Sequence, residues 1–389
     1  MKNHEGAKVL QAVRDLAPTI SARSAEIDAA RRLPADLLGQ LKAAGCIRMF
    51  VPRSHGGHEV DPLLGMEILE TLARADSSTG WVTMIGAESP HLFALLPRER
   101  FDAIYSAGPD VIVAGGFKAQ GQAHVEPGGY RVSGRWAFAS GCEHADWLFG
   151  NCVLLENGQT RPGLVPGVPA MRGMLFRAQD MRVVDTWSVL GLRGTGSHDI
   201  TLEGAFCPEQ DTFDIFQGKP SVPGPGFIAT LPQFQLHMGA VAVGIAQGAI
   251  DDAVALALGG KQRLYARTPL VESQPFQLRL GRAEMSLRAA RALLRESASL
   301  LWKDCVESPA TAMAQLSQTS ATLAWVTETA MGVVDSCYRA GGGGVARDST
   351  SLQRRFRDIH TFSQHAAVAE EFMLQMGAAL MGQPTGLFT

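Results

Sequence analysis

Paired cysteines are missing from this chain. The six that occur, Cys46, Cys142, Cys152, Cys207, Cys305 and Cys337, form no CxxC pair and no metal-like Cys/His spacing. Such scatter argues for free thiols over disulfides or zinc, and no metal site is expected. Dense runs of Lys or Arg are missing too. With a formal net charge of only -3, neither a nucleic-acid groove nor an anionic membrane surface is indicated as the main partner. The stretch MKNHEGAKVLQAVRDLAPTI lacks the uninterrupted apolar segment of a signal peptide, and no segment reaches the roughly 18 apolar residues of a membrane span. The expected location is the cytoplasm. No Rossmann fingerprint can be drawn, so the chain shows no nicotinamide site. What it does have is 389 residues, 46% of them hydrophobic, enough for two or three domains around a large core. A small molecule is the natural partner.

The chain divides into three regions. From Ala7 to about Ser106 the pattern is helical: Met66, Leu69, Leu72 and Ala73 share one helical face, and Pro34 stands where it can open a helix. The turn-rich stretch VPRSHGGHEVDP, Val51 to Pro62, reads as a loop. Near Val111 the character changes to VIVAGGF, AHVEPGGYRVSGRWAFASG and WLFGNCVLL, alternating and punctuated by Gly pairs. Short strands are expected from there to about Phe216, closing into a small β-barrel. After the linker Gly218 to Gly226, helix formers dominate. Three apolar stripes are expected: Val243, Ile250, Val254 and Ala257; Met285, Ala289, Ala292, Leu293 and Leu300; Phe362, Ala366, Ala369, Met373 and Met376. These predict a helical bundle. The reading is an α+β chain: a helical domain over 1–106, a β-barrel domain over 107–217 and a four-helix bundle over 218–389.

This order resembles the acyl-CoA dehydrogenase superfamily over nearly the whole chain, and three strings carry the resemblance. GGYRVSGRWAFASG (Gly128 to Gly141) is similar to the barrel segment that lines the flavin. WSVLGLRGTGSHD (Trp187 to Asp199) is similar to the following flavin-side loop, and RFRDIHTFSQH (Arg355 to His365) to the carboxy-terminal signature. LGLRGTGSHD and the Trp-x-Phe-x-Ser-Gly wording resemble most the oxygenating branch, the two-component flavin-dependent monooxygenases. The resemblance implies an oxygenase component that takes reduced FMN or FAD from a separate NAD(P)H-dependent flavin reductase. With O2 as co-substrate it would form a flavin hydroperoxide and oxygenate a small aromatic or heteroaromatic molecule. It also implies a homotetramer, consistent with apolar stripes that one monomer could not fully cover.

The alternative is a dehydrogenase or oxidase, which needs a carboxylate to remove a weakly acidic proton. The stretch after Arg357-Asp358 reads IHTFSQHAAV and holds no acid before Glu370, so the base would have to be displaced, for instance to Glu67, Glu88 or Glu143. His365 stands there instead. Imidazole titrates near neutrality and suits oxygen transfer, and the resemblance carries a catalytic role onto it. By the same resemblance Ser140 meets the flavin edge, Trp136 forms a flavin wall, and His91 reaches the substrate. Arg193 lies among Gly191, Gly194 and Gly196, which let backbone approach a phosphate or ring edge. Arg193, Thr195, Ser197 and Arg263 are the remaining implied flavin contacts, from different subunits. Each has a plainer reading: Trp136 as sheet core, Ser140 as turn chemistry, Arg263 as a helix-end charge, and His91 as an exposed turn. His237 and His360 carry less weight.

Overall fold

The computed structural model describes residues 4–383. Seven helices come first: α1 (His4–Ala22), α2 (Ser24–Ala30), α3 (Ala35–Ala43), α4 (Pro62–Ala75), α5 (Ser77–Ala87), α6 (Ser89–Phe93) and α7 (Arg98–Tyr105). Pro34 is the residue before α3, and Met66, Leu69, Leu72 and Ala73 are all buried on α4. Two aspartates set the next turn. The Asp61 carboxylate accepts from Leu64 N at 3.1 Å to start α4, and Asp76 accepts from Thr79 N at 2.7 Å to start α5. Each satisfies an orphan donor of a helix's first turn. Asp76 is itself in extended conformation, so it ends α4 and redirects the chain in one residue. Gly80 permits the tight return, since a Cβ there would lie 2.6 Å from that of Ala73. α5 is buried on nearly every side. It is therefore an interior strut.

The strands are β1 (Val113–Glu126), β2 (Gly129–Ala139), β3 (Trp147–Glu156), β4 (Gln159–Thr160), β5 (Met171–Arg177), β6 (Arg182–Val184), β7 (His198–Pro208) and β8 (Thr212–Phe213). They form one mixed sheet in the order β6-β7-β2-β1-β3-β5-β8, with β4 beside β3. β1 and β3 run parallel and the other pairs antiparallel. The expected barrel is not closed: among the described residues no ladder joins β6 to β8. Those end strands have three and two residues, too few to supply a closing seam. At the sheet's centre stands Trp136, wholly buried, its Nε1 donating to Asn151 O at 2.7 Å. Gly116, Gly121, Gly134 and Gly150 pack around its side chain. A Cβ on any of them would come within 2.2–2.7 Å of a Trp136 atom. The glycines vacate the space the indole fills.

The remaining helices are α8 (Thr230–Leu258), α9 (Gln274–Glu307), α10 (Leu316–Gly341), α11 (Ser351–Phe362) and α12 (Glu371–Leu380). α8 is long and apolar enough to cross a membrane by composition, contrary to the sequence expectation that no segment is. It is mostly buried, packed against α4, α9, α10 and α11, so it serves as the core helix of the carboxy-terminal domain. On α9 the expected stripe needs correcting. Ala283, Leu287, Ala290, Leu294, Ala298 and Leu301 face the core, while Met285, Ala289, Ala292 and Leu300 face outward. α9 carries small and apolar residues on two faces, and periodicity alone does not say which one packs inside the monomer. The third stripe splits: Phe362 is buried, whereas α12 has no buried residue. All six cysteines are free and buried.

Candidate functional site

Four segments converge at the open end of β2. A register shift between Trp136 and Ala139 breaks the β2–β7 ladder, and within it Phe138 adopts a positive φ of 65°. This conformation costs a residue with a Cβ some strain. Its result is a phenyl ring 72% exposed, edge-on to Trp187 at 6.2 Å. Two residues on, Ser140 turns inward. The loop Trp187 to Ser197 lies beside it, tied by Gly141 N donating to Thr195 O at 2.8 Å.

The loop is seated on backbone. A Cβ at Gly191 would meet Arg357 O at 2.1 Å, and one at Gly194 would meet the Ile27 side chain at 2.3 Å. Asp358 accepts from Leu192 N at 2.7 Å, and Arg357 donates to Leu190 O at 2.8 Å and to Asp28. Burial pushes the Asp358 carboxyl up to about 6, with the nearby Asp76 adding to the effect.

Proton counting gives the hydroxyls a direction. Thr195 has one hydroxyl proton and donates it to Leu192 O at 2.8 Å. The 2.7 Å contact with Ser197 must then be donated by Ser197, and the 2.7 Å contact of Ser197 with Ser140 by Ser140. The Ser140 oxygen in turn receives the Trp81 indole N–H at 3.0 Å. A hydroxyl has one proton and two lone pairs. Ser140 has therefore committed its proton and keeps one lone pair for an incoming donor.

Trp81, on α5, joins this row to the carboxy-terminal segment. Its ring is edge-on to Phe362 at 5.3 Å and to His365 at 5.5 Å. His365 Nδ1 accepts from Ala367 N at 3.1 Å, which assigns the ring proton to Nε2. The ring is open to solvent in the single chain, and the protein packed around it lowers its pKa to about 4. The imidazole is neutral, with its proton on Nε2.

A second cluster lies at the other end of α5. Glu88 is seven residues beyond Trp81, on the same helical face and about 10 Å along the axis. Its carboxylate is buried and takes His91 Nδ1 on one oxygen at 2.5 Å and His237 Nδ1 on the other. Burial alone would raise its pKa, but the charge and hydrogen bonds of the two imidazoles outweigh this and hold it at about 2. Phe50 stacks on His91 at 5.4 Å and on His237 at 4.6 Å. His91 and Phe50 line a cavity of about 160 Å³ together with Phe227, Gln233 and Trp302, with Arg53 and Glu59 at its rim.

The sequence candidates thus fall into four groups. Ser140, Thr195, Ser197 and His365 come together around Trp81. His91 is not an exposed turn but lies at the separate cavity. Trp136, expected as a flavin wall, is enclosed in the sheet and offers no face to a ligand. The exposed aromatic of that segment is Phe138, which the regular alternation of Trp136-Ala137-Phe138-Ala139 does not flag. Arg193 turns to Val189 O at 2.9 Å, and Arg263 donates to the carbonyls of Arg339 and Ala340 at the end of α10. Neither arginine reaches the hydroxyl row within the chain. Trp81, Glu88 and His237 were missed as partners because α5 and α8 are buried all round and show no stripe. His360 pairs with Asp335 at 2.9 Å.

None of the displaced carboxylates is a free base. Glu67 is paired with Arg14 at 2.8 Å and Glu143 with Arg32 at 3.0 Å. Glu88 has both oxygens occupied and a pKa too low for carbon-acid chemistry.

An uncovered aromatic ring next to a hydroxyl with a spare lone pair fits a flat ring system with a polar N–H edge. The fold has the architecture of a flavin enzyme. Sequence models of the acyl-CoA dehydrogenase amino-terminal and carboxy-terminal domains match residues 3–93 and 236–370. The chain is 32% identical to the indole-3-acetate monooxygenase of Pseudomonas putida, covering 96% of this chain and 92% of that one. It is 30% identical to the flavin-dependent monooxygenase oxygenase subunit HsaA of Rhodococcus jostii, over 92% and 94% of the two chains. The structure of XiaF from a Streptomyces species, in complex with FADH2 and glycerol, superimposes with a TM-score of 0.88 at 25% identity, covering 98% and 96%. The chain belongs to the flavin-dependent monooxygenases of the acyl-CoA dehydrogenase superfamily.

Proposed function

We propose that this protein is the oxygenase component of a two-component system, acting on a small aromatic or heteroaromatic substrate with reduced flavin from a separate NAD(P)H-dependent reductase. The observation that carries the reading is the hydroxyl row ending at Ser140, joined through Trp81 to His365. Bound reduced flavin supplies two electrons to O2, so that one oxygen atom enters the substrate and the other leaves as water. Reduced flavin carries a hydrogen on its central nitrogen and oxidised flavin does not. Ser140, with its proton committed to Ser197, would accept a hydrogen bond from the former and would have no proton to offer the latter. Phe138 and the loop Gly191 to Ser197 would hold the ring system. His365 keeps a proton at Nε2, ready to donate.

The two outer arginines fit an assembly. Arg263 lies on the connection between α8 and α9, where Leu264 is 82% exposed, and Arg193 is partly open. We assign both to flavin contacts completed across subunits of a homotetramer. Leu278, Met285 and Leu300 on the outer face of α9, and the uncovered α12, support burial between bundles. Light scattering reads this directly, with a monomer mass counting against it.

The decisive experiment supplies photoreduced FMN or FAD, then O2, with a panel of phenols and indoles, and looks for products heavier by one oxygen. Product from none of them, with reduction of tightly bound flavin by an acyl-CoA, would favour the dehydrogenase reading instead.

A further inference from the structure

We propose that Glu88 and His237 are positioning residues that set His91 as the proton acceptor for a hydroxyl or ring N–H of an aromatic substrate in the cavity beside Phe50. The inference rests on the oxygenase reading for its purpose but on this cluster for its chemistry. A carboxylate can only accept, so each imidazole donates to Glu88 from Nδ1. The His91 Nε2 lone pair is then left as that side chain's remaining polar atom, and His91 lines the cavity. Glu88 stays ionised, its carboxylate held by both imidazole donors. A carboxylate that receives one Nδ1–H on each oxygen can stabilise a further proton on either imidazole.

The step balances within the site. The substrate O–H or N–H bond breaks, Nε2–H forms on His91, and the substrate is left as its anion. The His91 imidazolium is neutralised by Glu88 at 2.5 Å. Charge is redistributed rather than created, which matters where desolvation is strong. An aromatic anion is richer in electrons at its ring carbons, the property an incoming electrophilic oxygen requires.

His237 has the balancing role. It is fully buried and occupies the second carboxylate oxygen from α8, while its own Nε2 has no partner and lies beside Gly65 of α4. By sharing Glu88 it moderates how strongly the carboxylate favours protonated His91. The titratable and charged groups around His91 are therefore Glu88 and His237, with Arg53 and Glu59 of the 51–61 loop at the rim. The remaining cavity wall is aromatic and aliphatic, with glycine backbone and the Gln233 amide. A cavity of about 150 Å³ accepts benzene, so this one matches a single-ring phenol.

The test uses 4-nitrophenol, whose ionised form is yellow, bound to the full-length protein without flavin and titrated with pH. In the wild type the bound probe should ionise below its solution midpoint. Glu88→Gln removes the compensating charge and should move that midpoint up by about one pH unit or more, a roughly tenfold change in the ionisation equilibrium. His237→Leu leaves Glu88 a single donor and should move it down. Opposite shifts from two neighbours of one carboxylate are not what general loosening produces. If Glu88→Gln does not fold, the His237→Leu shift and loss of the depressed midpoint in His91→Gln carry the same test. Unchanged midpoints, shifts of the same sign, or failure of the wild type to bind the probe would each overturn the proposal. Oxygenated product from wild type with unchanged midpoints would leave the oxygenase reading standing and this inference fallen. Shifted midpoints without product would do the reverse.

Discussion

Replacing Trp136 separates a sheet pillar from a flavin wall, and the outcome can be worked from its surroundings. Trp136→Ala removes a fully buried indole, a change that costs about 3–5 kcal/mol in burial and cavity formation. It also strips Asn151 O of the donor it holds at 2.7 Å, adding about 1 kcal/mol. The expected loss is about 4–6 kcal/mol. Gly150 supplies the cross-check, because the three atoms nearest a Cβ at that position, from 2.2 Å outward, all belong to the Trp136 ring. Gly150→Ala alone should overpack the sheet by about 1–3 kcal/mol. In the Trp136→Ala background the added methyl enters the cavity instead, so the double variant should be more stable than the sum of the two singles by about the same 1–3 kcal/mol. Urea unfolding followed by circular dichroism measures all four proteins, and the midpoints should move while the slopes hold. A Trp136→Ala protein within 1 kcal/mol of wild type but defective in flavin binding would refute the pillar and restore the wall, with 1 kcal/mol being about the uncertainty of such comparisons.

His365→Ala should fold and bind reduced flavin while product formation falls by roughly 10²–10⁴-fold; unchanged yield and unchanged H2O2 release would remove His365 from the chemistry. Ser140→Ala should narrow the ratio of affinities for reduced and oxidised flavin, measured by anaerobic titration, and a ratio equal to that of wild type would refute the committed-proton argument. Asp358 ties stability to pH. Its folded pKa is raised to about 6, so the folded state retains a proton that the unfolded chain releases, and stability should fall as pH rises from about 4 through 6. Asp358→Asn keeps an acceptor for Leu192 N without the charge. It should exceed wild type by roughly 1–3 kcal/mol at pH 7 and match it near pH 4; equal stability at both pH values would show that burial does not perturb this carboxyl.

Much of the site was readable because glycine and small hydroxyls carry local information. The string GLRGTGS announces close backbone approach, and Thr195 and Ser197 prove to be its buried hydroxyls. Helices and strands were readable from period and from Gly-Pro punctuation. Partners across elements were not. Nothing in SSTGWVTM says that Trp81 will meet Ser140 from β2 and His365 from beyond α11, since each contact depends on packing between distant segments. Trp136 is assigned to the ligand by the resemblance of its segment to a flavin-lining one, whereas its indole is enclosed in the sheet. A bulge that turns Phe138 outward has no signature of its own in the surrounding residues. The choice of face on α9 failed for a related reason: an apolar stripe records burial, whether in the monomer or in an assembly.

The course of α5 has a consequence for changing what this enzyme accepts. One uninterrupted helix carries Trp81 at the hydroxyl row and leads to Glu88 at the cavity, so the spacing between the two centres is counted in residues, like marks on a ruler. A substitution within the cavity reshapes one end and leaves the scale untouched. An insertion or deletion between Trp81 and Glu88 would lengthen or shorten it by about 1.5 Å and also rotate the far end by roughly 100°, swinging the carboxylate away from His237 on α8. Larger substrates are therefore to be accommodated by carving the wall formed by Phe227 and Trp302, with the length of α5 held constant.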